Sequence, residues 1–169
     1  MAARSPNTDP TTRVPTLASA LIGAWRLEST VQRFADGTVR PSPLYGPDGV
    51  GYLIYSPSGQ MCAVLADPHR ELWISPDEPT QEELQSIHTH FIAYCGRYEV
   101  LDQESVVLHH IELHVTPNNI GTIAARRVSF EGSRLTLQPL DDELPAGMLE
   151  YTLRWVRFDA IELNSTNME

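Results

Sequence analysis

Cysteine is scarce in this chain: Cys62 and Cys95 are the only two. Two are too few for a disulfide scaffold, and without a C-x-x-C pair neither a structural zinc site nor a thioredoxin-like redox motif is available. Both are expected as small buried apolar side chains. Positive charge is also short, with 12 Lys and Arg against 22 Asp and Glu for a net charge of −10. No basic stripe is left to neutralise phosphates, which argues against a nucleic-acid partner, and the same acidity disfavours an anionic membrane surface. No apolar run approaches the ~20 residues of a membrane span, and no G-x-S-x-G elbow is present. The first residues are Pro- and Thr-containing with no apolar core, unlike a secretory signal; the expected location is cytoplasmic.

The remainder of the 169 residues reads as one domain, residues 16–160, between a disordered tail at 1–15 and a second tail at 161–169. Leu17 to Ile22 is a short apolar turn or helix ending at Gly23. From Ala24 the pattern alternates, with Trp25, Leu27, Ser29 and Val31 on one face and Arg26, Glu28, Thr30 and Gln32 on the other, a strand wet on one side. Three prolines make Arg40 to Asp48 a loop. Gly49 to Ser56 and Gln60 to Ala66 form a hairpin across Pro57-Ser58-Gly59. After the loop Asp67 to Pro79, Thr80 and Glu83 make a capping box. Leu84, Ile87, His88 and Phe91 follow at helical spacing. Tyr94–Leu101, Ser105–Val115, Ile120–Phe130, Arg134–Leu140 and Leu149–Phe158 complete eight strands. Eight antiparallel strands in order predict an all-β, up-and-down barrel wide enough for one small ligand, with the helix as lid or plug.

Candidate site residues cluster between Tyr94 and Arg127. On strand 105–115, Val107, His109, Ile111, Leu113 and Val115 share an apolar face, while Leu108, His110, Glu112 and His114 share a wet one. Tyr98 and Arg126 are expected to flank His109 on the inner wall, with no carboxylate forced inward to pair the guanidinium. Desolvation and the neighbouring arginine keep such a histidine neutral, so it can relay a proton while Arg126 and a tyrosine hydroxyl stabilise a developing oxyanion. His109, Arg126 and Tyr98 are therefore the catalytic candidates. Tyr94, Tyr52, Met61, Trp73, Phe91, Ile111, Leu137, Tyr151 and Trp155 are the candidate ligand wall. His110, Glu112 and His114 do not make a metal site, because residues two apart on a strand lie ~7 Å apart and zinc ligands sit ~2 Å from one ion.

The chain resembles the lipocalin-like domain proteins of the calycin superfamily. The resemblance rests on Gly23-Ala24-Trp25, on Gly51 to Met61, on Tyr94-Cys95-Gly96-Arg97-Tyr98, on His109-His110-Ile111-Glu112, on Pro117 to Arg127 and on Trp155-Val156-Arg157. It implies that Arg157 lies across Trp25 and closes the barrel, a cation–π contact worth ~0.5–2 kcal/mol. It also implies a small hydrophobic ligand, aromatic, polyketide- or terpenoid-like. Two roles are then open: a cofactor-free isomerase, cyclase or dehydratase of secondary metabolism, or a non-catalytic carrier or sensor. A homodimer is compatible with either.

Overall fold

The computed structural model describes residues 16–158; the two tails expected from the sequence lie outside them. A five-residue helix α1 (Leu17–Leu21) opens the domain, its first turn capped by the Thr16 hydroxyl, which accepts from the Ser19 amide. The strands are β1 (Gly23–Phe34), β2 (Val39–Arg40), β3 (Val50–Tyr55), β4 (Gln60–Ala66), β5 (Phe91–Leu101), β6 (Val106–His114), β7 (Ile123–Glu131), β8 (Arg134–Pro139) and β9 (Met148–Arg157). Helix α2 (Gln81–His90) lies between β4 and β5 and carries the reciprocal Thr80–Glu83 capping box. Single 3-10 turns occur at Pro117–Asn119 and Asp141–Glu143. Every strand pairs antiparallel with the next around the sheet, and β9 returns to β1, closing an eight-stranded barrel. β2 is the extra strand, two residues long, attached to β1 at Gln32 and Arg33; it falls at the edge of a segment expected to be loop.

The closed end is held by the two sequence ends of the barrel. Arg157 stacks on the Trp25 ring with its guanidinium carbon 4.1 Å from the centroid. It also donates to the carbonyls of Ile22 and Ala20, which helix α1 leaves without intrahelical partners. Trp25 Nε1 donates to the Leu21 carbonyl at 2.9 Å. Gly23 has φ +135°, and a Cβ there would meet the Arg157 guanidinium; glycine is required on both counts. Beneath this clasp Leu21, Trp25, Leu53, Met61, Val128, Leu135, Leu137 and Trp155 form a packed core. Met61, Leu137 and Trp155, expected on the ligand wall, belong to this filled end.

Two β-bulges change which side chains face inward. In β1 the pairing with β9 slips between Leu27 and Ser29. Trp25 and Leu27 point in as expected, but past the slip Thr30 and Gln32 are the buried residues, in place of Ser29 and Val31. In β6 the register with β5 slips between Cys95 and Gly96, because Cys95 faces Leu113 while Gly96 faces Ile111. Val107, His109 and Ile111 face the interior as expected; one extra residue, Glu112, then turns Leu113 outward and His114 inward. An inserted residue reverses the two-residue alternation for everything after it.

The cysteines correct a further expectation. They are not free thiols: Cys62 and Cys95 face each other in register on β4 and β5 and form a disulfide on the outer surface, half-buried. They lie 33 positions apart in sequence, and only the strand register brings them together.

Gly96 marks the tightest point of the β6 bulge, where a Cβ would run into the His110 carbonyl. Replacing Gly96 with Ala forces backbone apart. The expected cost is about 3 kcal/mol, from the upper range for overpacking, and urea unfolding of the variant against the parent measures it.

Candidate ligand cavity

Above the packed end the barrel holds a cavity of about 330 Å³. Its apolar wall comes from Leu44, Leu65, Ile92, Ile111, Ala124 and Leu153, and its polar groups from Tyr45, Tyr94, His114, Asn119, Thr122, Arg126 and Tyr151. Alternation places them. Ile92 and Tyr94 are two apart on β5; Thr122, Ala124 and Arg126 two apart along β7 and the residues before it; Tyr151 and Leu153 two apart on β9. The cover is Leu44 and Tyr45 from the proline-rich loop, together with Asn119 from the turn after β6. Helix α2, expected as the lid, contributes no lining residue and has no buried residue. Its C-terminal His90 meets the Leu44 carbonyl at 3.4 Å, so it braces the cover from outside.

His109 lies below the cavity floor, 1% exposed. Its Nε2 is 2.7 Å from the Tyr55 hydroxyl and its Nδ1 3.1 Å from the Tyr94 hydroxyl. The direction of these bonds follows from partner counting. Tyr55 is wholly buried and has no other hydrogen-bond partner among the described residues, so its proton is directed at Nε2. A neutral imidazole then carries its proton on Nδ1 and donates it to the Tyr94 oxygen. That leaves the Tyr94 O–H to point at whatever occupies the cavity. Each link polarises the next, which strengthens the terminal donor.

Burial, aided by the Arg126 charge and by His110, pushes the His109 pKa down to about 3. Burial likewise raises the phenols of Tyr45, Tyr55, Tyr94 and Tyr151, against a smaller opposing pull from Arg126 on each. The site therefore holds a neutral imidazole and protonated hydroxyls. Arg126 is paired after all: Nη1 donates to Glu143 Oε2 at 2.7 Å and to the Ala125 carbonyl, and Glu143 Oε1 accepts the Ala125 amide. The acidic loop after β8 thus supplies the carboxylate that the strand pattern did not place inward. The Tyr151 hydroxyl sits beside those of Tyr45 and Ser42 yet forms a properly directed bond with neither. Gln32 Oε1, on the β1 residue paired with Tyr151 of β9, also lacks a partner among the described residues.

The candidates separate accordingly. Tyr94, Ile111, Arg126 and Tyr151 line the cavity, and His109 supports it from beneath through Tyr94. Tyr98 faces the interior opposite His109, but its hydroxyl donates to the Ser56 carbonyl at 2.9 Å and does not line the cavity. Tyr52 is outside the barrel, stacked on Phe158. Trp73 lies in the loop before α2, beside Glu83, Ser86 and Ile87 of that helix and away from the cavity, and Phe91 lies under the Arg70 guanidinium. Tyr45, His114, Asn119 and Glu143 were missed. His114 needed the bulge, Tyr45 sits in a loop, and Asn119 and Glu143 sit in the single 3-10 turns between strands, where residue spacing carries no facing information. His114 stacks on Tyr94 and accepts the Thr116 amide at Nδ1, 2.8 Å away.

Residues 22–157 match the lipocalin-like domain family. Over 75 residues the chain is 35% identical to the 4'-hydroxy-3'-methoxypropiophenone carrier protein ppsC of Aspergillus oryzae, spanning 41% of this chain and 68% of that protein. Among solved structures it is similar to a lipocalin-like protein from Bacteroides uniformis, with TM-score 0.41 and 13% identity over 82% of this chain and 99% of that one. A protein from Bacteroides eggerthii has TM-score 0.39 and 11% identity over the same shares.

The depressed His109 pKa links stability to pH. Unfolding restores an ordinary histidine that takes up a proton below about 6.5, while the folded state stays neutral down to about 3. Stability is complete above the unfolded value and falls as pH drops through that window, by roughly 1.4 kcal/mol per pH unit. His114, also lowered, mainly by desolvation, acts in the same direction. Urea unfolding at pH 7, 6 and 5 should therefore show a shallower slope in His109→Gln than in the parent.

Proposed function

This chain belongs to the lipocalin-like domain family, and we propose that it takes up one small, mostly apolar molecule in the barrel and holds it by a polar oxygen. The observation that carries the reading is the pairing of a hydrocarbon wall with neutral hydroxyls at Tyr94 and Tyr151 on the same cavity. Buried polar groups require partners, and a carbonyl, ether or phenol oxygen on an otherwise greasy molecule supplies one. The cavity volume of about 330 Å³ is at the lower end for small-molecule sites and suits a one-ring compound. The Aspergillus relative supports the same chemistry, since the cargo in its name is a phenyl ketone bearing one hydroxyl and one methoxy group. Secondary metabolism is the setting that this relative suggests.

Carriage is the better-supported role. The imidazole does not reach the cavity, and both of its nitrogens are committed to tyrosines. Arg126 is neutralised by Glu143. A second reading, cofactor-free isomerisation, cyclisation or dehydration, draws on the Tyr55–His109–Tyr94 chain. In that reading Tyr94 exchanges the proton with the bound molecule, His109 relays it and Arg126 stabilises the developing oxyanion.

Titration calorimetry with 4'-hydroxy-3'-methoxypropiophenone is the direct test. Binding at one site per chain is expected, weakened about 10-fold in Tyr94→Phe for the loss of one hydrogen bond and abolished in Ala124→Trp, which fills the cavity. Binding that survives Ala124→Trp contradicts the site. In deuterated buffer, a carrier returns the ketone without label; incorporation beside the carbonyl that disappears in Tyr94→Phe selects the catalytic reading.

A further inference from the structure

The outer face of β3–β6 does not look like the wet side of an antiparallel sheet. Register places Ile54, Cys62, Cys95 and Leu113 in one row across the four strands. Tyr52, Val64 and Ala93 form the next row, which Val115 extends, its backbone N–H donating to the Ala93 carbonyl. Neither row contains a charged residue, although the chain carries a net charge of −10. Tyr52, Ile54 and Leu113 are 55%, 47% and 66% exposed. With Val50, Val115 and Ile120 the face leaves on the order of 600 Å² of apolar surface to water, at the top of the range for a monomer's largest patch. It also approaches the ~800 Å² that each partner contributes to a stable interface.

The relief of this face indicates what covers it. The middle strands carry small side chains, Cys62, Val64, Ala93 and Cys95, and these form a trough of about 280 Å³ walled on one side by Leu113, Val115 and Ile120. On the other side Tyr52 and Ile54 stand up as a ridge, with Tyr52 braced by Phe158 at 5.3 Å between ring centroids. A ridge beside a trough on one surface is self-complementary about a two-fold axis, the condition for an isologous contact. We propose that two copies of this chain pair through β3–β6, with the Tyr52–Ile54 ridge of each seated in the Val64–Ala93 trough of the other. Aligned packing of two sheet faces is the ordinary sandwich arrangement. The uncharged face keeps the acidic surfaces of the copies apart. Arg26, paired with Tyr52 across β1, and the Arg97–Glu112 pair lie at its margin.

Sedimentation equilibrium of the full chain tests this without reference to any ligand. The expected mass is twice 18.9 kDa at micromolar concentration, returning to the monomer value in Ile54→Glu and in Leu113→Lys. Both positions face solvent, so circular dichroism should report an intact barrel. Tyr52→Lys serves if either fails to fold. A monomer at every concentration overturns the proposal, as does a dimer indifferent to all three substitutions. A chain ending at Phe158 that dimerises when the full chain does not overturns it too, because the terminal segment would then be the occupant.

Discussion

The absence of a side chain at Gly96 is the constraint on which most of this molecule depends. The His110 carbonyl occupies the space that a Cβ would need, and that close approach lets β6 carry Glu112 as an extra residue. Before the bulge, β6 sends Val107, His109 and Ile111 inward. After it, the strand sends His114 inward and Leu113 outward. The cavity gains an imidazole stacked on Tyr94, and the outer face gains the wall of its trough. A regular strand would bury Leu113 and expose His114, losing both features together.

Inside the barrel the chemistry is polar but uncharged in sum. Arg126 is balanced by Glu143, His109 is held neutral by burial, and the phenols keep their protons. A site built this way offers directed hydrogen-bond donors without a net field. For the proposed cargo this arrangement suits a neutral acceptor better than an anion, whose desolvation would go uncompensated. The apolar wall then excludes water from those donors, which raises the value of each bond formed there.

Much of the architecture was legible in the chain because alternation, turn residues and the Gly23-Ala24-Trp25 and Trp155-Val156-Arg157 pairs are local signals. Arg157 lies on Trp25 as the resemblance implied. Tyr98 and His109 oppose each other across β5 and β6, and Arg126 lies one diagonal step away, opposite Val107. Legibility ended where long-range geometry decided the outcome. A bulge leaves the composition of a strand unchanged while reversing its faces, so His114 read as wet. Cys62 and Cys95 meet only through the β4–β5 register. Tyr45 and Glu143 enter the site from loops, where no periodicity tells which side chain turns in. Tyr52 and Trp73 looked like wall residues because aromatic side chains suggest burial, yet their positions place them outside.

The most direct measurement of the central claim is a crystal structure of the protein grown with an aryl ketone. The ring is expected between Ile92, Ile111 and Leu153, with its oxygen in hydrogen-bond contact with Tyr94 or Tyr151. A ketone bound only on the outer surface, or a barrel from which it is absent at saturating concentration, would contradict it.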